Sequence, residues 1–105
     1  MSKLKNTLNK RASNYGSFED NSIITHKLFK VIEKAPNFKK LSIAHKEAYH
    51  MIFHKIARSV CGDPNYIDNI HDIAGYACLL EEYLNKKNYE NKKNYENKNN
   101  RNNKR

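Results

Sequence analysis

The sequence predicts an all-α protein, a small bundle of three main helices followed by a disordered C-terminal tail. Three observations predict it. Apolar residues recur at three- and four-residue spacing in three separate stretches, Gly and Pro fall between those stretches with one exception, and no segment alternates apolar and polar residues for long enough to make a strand. At 105 residues the chain has room for one domain. That domain is assigned to residues 1–84, with an ordered core from about residue 11, and residues 85–105 form the tail.

Leu4 and Leu8 suggest a short extra helix over Lys3 to Ala12. Ser13 to Phe18, which sets two aromatic rings beside Gly16, reads as an ordered loop. The first main helix is expected from about Asn21 to Lys34, capped by Asp20 or Asn21. Ile24, Leu28, Val31 and Ile32 would form its buried stripe. Pro36 ends it by holding Ala35 extended. Ser42 is a good N-cap for the second helix, which runs to about Val60 with Ala44, Ala48, Met51, Ile52 and Ile56 inward, and Gly62 stops it. Gly62-Asp63-Pro64-Asn65 is a tight turn, so the third helix, from Tyr66 or Ile67 to Leu84, should pack antiparallel to the second. Ile70, Ile73, Ala74, Ala77, Leu80 and Leu84 are its expected buried face. Gly75, the exception, costs about 1 kcal/mol in mid-helix and suggests a close helix contact, such as one across a dimer.

The charge is unevenly spread. The chain carries 20 Lys and Arg against 11 acids, net +9, but residues 85–105 alone hold +6 and residues 1–84 only +3. The tail has no aliphatic residue and repeats KKNYEN from Lys86 to Asn91 and again from Lys92 to Asn97. Such a segment cannot bury a core and reads as either a solvated extension or an electrostatic arm for nucleic acid or an acidic protein. No apolar run approaches the ~20 residues of a membrane span, and the N-terminus lacks the apolar stretch of a secretory signal. Two cysteines, Cys61 and Cys78, are too few for a disulfide framework and read as small hydrophobes, so a cytoplasmic location is expected. The small core makes a homo-oligomer the natural expectation.

The polar residues gather on the second and third helices. His50, His54, Lys55 and Arg58 occupy neighbouring turns of one helix, and Asp68, Asp72 and Tyr76 follow at similar spacing on the next. With antiparallel packing Arg58 can meet Asp72. This reads either as an ion pair that fixes helix register or as a polar pocket where Lys55 and Arg58 take phosphate and a carboxylate takes a base, sugar hydroxyl or metal. His50 and His54 have the H-x-x-x-H spacing of a metal pair, but no third ligand accompanies them. Tyr15 and Phe18 could stack on a nucleobase or cover the end of the bundle.

The order of motifs is Arg11-Ala-Ser-Asn-Tyr15-Gly16-Ser-Phe18, then Met51-Ile52 with Lys55-Ile-Ala-Arg58, then Gly62-Asp63-Pro-Asn-Tyr66, then Asp72-Ile73-Ala74-Gly75-Tyr76. This resembles a family of small domains of unknown function common in bacteriophages and prophages, from Arg11 to about Leu84. More distantly it is similar to the phage nucleotide-modification-associated domains and to the all-helical MazG-type nucleoside triphosphate pyrophosphohydrolases. The latter hold Mg²⁺ with an acidic quartet. Glu47, Asp68 and Asp72 stand in roughly suitable places here, but the quartet is incomplete, which favours binding over hydrolysis. The resemblance implies a phage-encoded nucleotide-binding protein of host counter-defence or phage nucleotide metabolism, with no cofactor. Its ligand residues would be Arg11, Tyr15, His54, Lys55, Arg58, Asp68, Asp72 and Tyr76. Two alternatives stay open: a Mg²⁺-dependent pyrophosphohydrolase, and an anti-CRISPR-like inhibitor of a host defence protein or its nucleic-acid complex.

Overall fold

The computed structural model describes residues 2–103 and, among them, contains helices and no strand. Helix α1 spans Ser2–Tyr15, α2 Phe18–Glu33, α3 Ile43–Cys61 and α4 Ile67–Asn103, with a 3-10 turn at Phe38–Lys40 between α2 and α3. Helices α2, α3 and α4 are the three main helices of the sequence reading. Helix α3 lies at the centre, packed on α2 and α4, while α1 reaches it through its C-terminal end.

The helix ends follow local chemistry. Helix α1 is longer than its two leucines suggested and absorbs the first half of the expected loop, so only Gly16 and Ser17 separate it from α2. The Gly16 amide closes α1 by donating to the Ala12 carbonyl at 2.7 Å, in the left-handed conformation (φ 77°) that favours glycine. Ser17, rather than Asp20 or Asn21, caps α2 by accepting from the Asp20 amide at 3.1 Å. That frees Asn21 for another task. Ser42 caps α3 as expected. Its partner at the third position is His45, whose Nδ1 accepts from the Ser42 amide at 3.2 Å, where Glu or Gln is the common choice.

A clasp of two glycines joins α1 to the α3–α4 turn. A Cβ at Gly16 would lie 2.5 Å from Cys61 Cβ and 2.7 Å from the Cys61 carbonyl, and one at Gly62 would run into the Asn14 carbonyl and the Tyr15 amide. The Asp63 amide then donates to the Asn14 carbonyl at 3.2 Å. Backbone meets backbone here, which only residues without side chains permit.

The core is thin. Among the described residues, the buried apolar ones are Ala48, Ala57 and Leu80, and four polar residues share the interior: Asn21, Thr25, Lys55 and Asn69. Phe29, Phe38, Phe53 and His50 form an edge-to-face cluster between α2 and α3. Two expected stripes need correction. Val31 is exposed, and on α4 so are Ile70, Ala74 and Ala77. Helix α4 is turned so that Asn69, Ile73, Tyr76, Leu80 and Leu84 face inward. The reason is polar: that face carries Asp72, which reaches Lys55 on α3. Gly75 consequently meets nothing within 4 Å and makes no helix contact within the chain.

The segment read as a tail is helical over most of its length. Helix α4 continues past Leu84 through the repeat to Asn103, while Lys104 and Arg105 lie outside the described residues. No Gly or Pro interrupts this stretch, and Lys87 is held locally by Glu90 at 3.6 Å and by the Tyr83 ring. A six-residue repeat advances by about a third of a turn per copy on a helix of 3.6 residues per turn. Tyr89 and Tyr95 therefore fall on different faces and no apolar seam forms. The projection gives the molecule its 76 Å long axis against 28 and 24 Å. A helix without packing partners is marginal in water. Amide hydrogens beyond Leu84 are therefore expected to exchange far faster than those of α3, measured by hydrogen–deuterium exchange. Equal protection would mean that this segment packs on something.

Candidate functional site

Arg11, Tyr15, His54 and Arg58 of the sequence reading come together, and Lys55, Asp68, Asp72 and Tyr76 do not join them. The four line a recess of about 420 Å³ with Leu8, Ser17, Phe18 and Asn21. That is the size of ordinary small-molecule sites. Helix α1 contributes Arg11 and Tyr15 from its last turns, the glycine clasp sets its end against α3, and α3 presents His54 and Arg58 one turn apart. The N-terminus of α2 forms the remaining wall.

Tyr15 organises the recess. The Arg58 guanidinium lies over its ring at 3.9 Å from the centre, and Arg11 approaches at 5.9 Å. Tyr66 meets Tyr15 edge to face at 5.4 Å. Hydrogen bonding to Tyr15 and then to Asp68 pushes the Tyr66 hydroxyl up to about 12. With these neighbours Tyr15 is a platform that fixes Arg58 by cation–π contact. Phe18 is the free ring of the site, 84% exposed, and does not plug the bundle.

Burial lowers the His54 pKa, and the charges of Arg58, Lys55 and His50 lower it further. The imidazole is thus neutral at neutral pH. Its helix-mate His50 packs instead against His26 and Phe29, so the H-x-x-x-H pair is split between two environments.

Asn21, which the sequence offered only as a cap, is the residue most easily missed. Its Nδ2 donates to the Tyr15 carbonyl at 2.7 Å, tying α2 to the end of α1. Its Oδ1 is buried with no donor. An asparagine at the inner face of an amphipathic helix was the available signal.

The expected Arg58–Asp72 ion pair is replaced by Lys55–Asp72, at 2.9 Å. Lys55 is one turn nearer the middle of α3 and its stem is buried, with the side chain 11% exposed against 43% for Asp72. The Lys55 ammonium holds the Asp72 carboxyl below its ordinary 3.8. A depressed carboxylate pKa stabilises the fold above the unfolded value, and that contribution is lost as pH falls through the folded value. Asp72→Asn is therefore expected to lower the melting temperature at neutral pH and to converge on the parent protein once pH has fallen through the lowered folded-state value. A gap that stays constant through the acid limb would refute the assignment.

Tyr76 lies elsewhere, in a groove between α4 and the N-terminal half of α3 with Glu47, Ala44 and Leu80. Asp68 serves Tyr66 and Asp72 serves Lys55. The three carboxylates suggested for Mg²⁺ thus have separate neighbours. Among the described residues no three His, Cys, Asp or Glu side chains gather as a metal site. Nor, among them, is any helix long and apolar enough to cross a membrane.

The chain belongs to the family described as domain of unknown function DUF6378, whose model matches residues 1–84. The match ends where α4 leaves the bundle. No curated protein and no solved structure matches the chain.

Proposed function

We propose that this domain binds a nucleotide and holds it without turnover. The observation that carries the reading is the recess itself. Two guanidinium groups, a neutral imidazole and an exposed phenyl ring line one cavity with no carboxylate among them. Arg11 and Arg58 suit phosphate, which a planar guanidinium grips in bidentate fashion. Phe18 offers a stacking face for the base. Lys55 and Tyr76 take no part, and Tyr15 acts through Arg58 rather than on the base. The sequence resemblance extends the reading to a phage-encoded protein in the host cytoplasm, sequestering a nucleotide signal of host defence or serving phage nucleotide metabolism. The pyrophosphohydrolase alternative is weaker because its carboxylates are dispersed.

The thin core and the exposed Ile67, Ile70 and Leu79 on α4 support a homo-oligomer as the working form.

The test incubates the purified chain and Mg²⁺ with a panel of nucleoside triphosphates and cyclic signalling nucleotides. The protein is then filtered, and what remains bound is released by heat and run on HPLC. A nucleotide retained and returned intact supports the proposal. A cleaved product would replace it with the hydrolase, and no retention would remove it.

His54 supplies a second, finer prediction. A phosphate beside a neutral imidazole raises its pKa, so binding should take up a proton and tighten as pH falls from about 7 to 6. Calorimetry in buffers of different ionisation enthalpy reads this uptake directly. Enthalpies independent of buffer would mean that His54 does not face the phosphate.

A further inference from the structure

Two helical faces of opposite charge are bare. Helix α1 carries Lys3, Lys5, Lys10 and Arg11 and no acid, and every residue from Lys3 to Ser13 is exposed. Leu4 and Leu8, four apart, share one of its faces. On α4 the outward stripe is Ile67, Ile70, Ala74, Ala77 and Glu81, all exposed and spaced alternately by three and four, as in a helix–helix seam. Residues 63–84 hold five acids, Asp63, Asp68, Asp72, Glu81 and Glu82, and no Lys or Arg, a charge of −5 against +4 for α1. Among the described residues Asp72 alone of these nine charged groups is ion-paired.

The two faces start from the same corner. The glycine clasp sets the end of α1 against the α3–α4 turn, with the Asp63 amide on the Asn14 carbonyl at 3.2 Å and the Tyr66 ring on Tyr15 at 5.4 Å. From that corner Tyr15 to Leu4 and Ile67 to Ala77 each extend roughly 15–17 Å, at about 1.5 Å per residue. Their lengths match, yet within one chain both faces stay exposed. A helix with so little packing is marginal in water, so α1 has most to gain from a partner.

We propose that two copies of this chain exchange their first helices, the Leu4–Leu8 face of α1 from each copy lying on the Ile67–Ala77 stripe of α4 in the other. A two-fold axis makes the contact twice and covers both bare faces of each chain. Ala74 and Ala77 leave room for the leucines, and Lys3, Lys5 and Lys10 bring cations to Asp68, Glu81 and Glu82. Charge selects this arrangement among those that two copies could make. Stripe against stripe would set Glu81 and Glu82 of one copy against the same pair, or against Asp68, of the other, according to direction. Either way like charge meets like. The lysines at the α2–α3 corner, Lys34, Lys39 and Lys40, could also face the acids of α4, but that contact would leave Leu4 and Leu8 bare. A basic helix of another protein would leave them bare too. The exchange gives surfaces to the homo-oligomer proposed above and rests on that reading; it is independent of the nucleotide.

The test is sedimentation velocity of the full-length chain over a concentration series, with two charge-reversed variants that spare the recess. Lys3→Glu with Lys5→Glu reverses α1, and Glu81→Lys with Glu82→Lys reverses the stripe. Each variant alone should dimerise roughly tenfold more weakly than the parent, or worse. An equimolar mixture of the two should recover the parent's affinity, because both contacts of the mixed dimer again pair opposite charges. Leu4→Ser should weaken the parent dimer by a similar factor, and the amides of residues 3–12 should gain hydrogen-exchange protection as concentration rises. Lys39→Glu with Lys40→Glu should leave the dimer as it is. A monomer at every concentration would overturn the exchange together with the homo-oligomer. A dimer that tolerates both reversals, or that the mixture fails to restore, would overturn the exchange alone. So would a dimer lost on reversing Lys39 and Lys40 but not Lys3 and Lys5, which would place the contact at the α2–α3 corner.

Discussion

Gly16→Ala is expected to cost about 2–5 kcal/mol, a large part of the 5–15 kcal/mol that stabilises a typical domain. Two terms add. A left-handed backbone costs an L-residue about 1–2 kcal/mol, and here φ is 77°. The new methyl would also stand 2.5 Å from Cys61 Cβ and 2.7 Å from the Cys61 carbonyl, so α1 must move off α3, at the roughly 1–3 kcal/mol of an overpacked core. For a domain of this size the melting temperature should fall by roughly 10 °C or more. Gly62→Ala should be as severe, because its methyl meets the backbone of Asn14 and Tyr15, which cannot rotate away. Gly75→Ala is the control. With nothing within 4 Å, it should stabilise by about 0.5–1 kcal/mol. Circular dichroism melts of the three variants decide the matter, and a Gly16→Ala melt equal to that of the parent would dispose of the clasp. Loss of stability at Gly75 instead would indicate that a second copy packs there.

The same pairs of residues explain what the sequence could disclose. Helix boundaries at Ser42, Gly62 and Ile67 were legible because capping and turn chemistry is local. The gathering of Arg11, Tyr15, His54 and Arg58 was legible in part, since spacing places His54 and Arg58 on one face. Only the clasp brings α1 to that face, and it depends on two glycines 46 positions apart in the chain, a relation no local pattern encodes. On α4 the inward face keeps Ile73, Leu80 and Leu84 of the expected stripe but takes Asn69 and Tyr76 in place of Ile70, Ala74 and Ala77, because the Lys55–Asp72 pair and the buried Asn69 fix its rotation. Hydrophobic periodicity assumes that apolar burial dominates, and in a core with so few buried apolar side chains polar pairing sets the rotation. The helical course of the tail is illegible for a related reason. Low apolar content argues against a packed segment but not against an unpacked helix, and nothing in the repeat breaks one.

Arg58→Ala is expected to weaken nucleotide retention about a hundredfold, the usual loss when one member of a close charged contact is removed. Helicity should change little, because Arg58 forms no ion pair among the described residues and its stacking partner Tyr15 keeps Tyr66. Arg58→Lys separates charge from shape. The ammonium keeps the charge but neither lies flat on Tyr15 nor offers a bidentate fork, so it should recover only a small part of the loss. Tyr15→Leu should weaken binding by removing the surface that fixes the guanidinium at 3.9 Å. If Tyr15 acts through Arg58, the double variant should bind no worse than Arg58→Ala alone, a non-additivity of the kind that residues in contact show. Additive losses would instead put the Tyr15 ring on the base, returning the stacking role to it from Phe18. Phe18→Ala then completes the cycle: as an exposed ring with no structural duty, it should leave the melting temperature unchanged and raise the dissociation constant for purine nucleotides by roughly tenfold. A Phe18→Ala variant that binds like the parent would confine recognition to the phosphates.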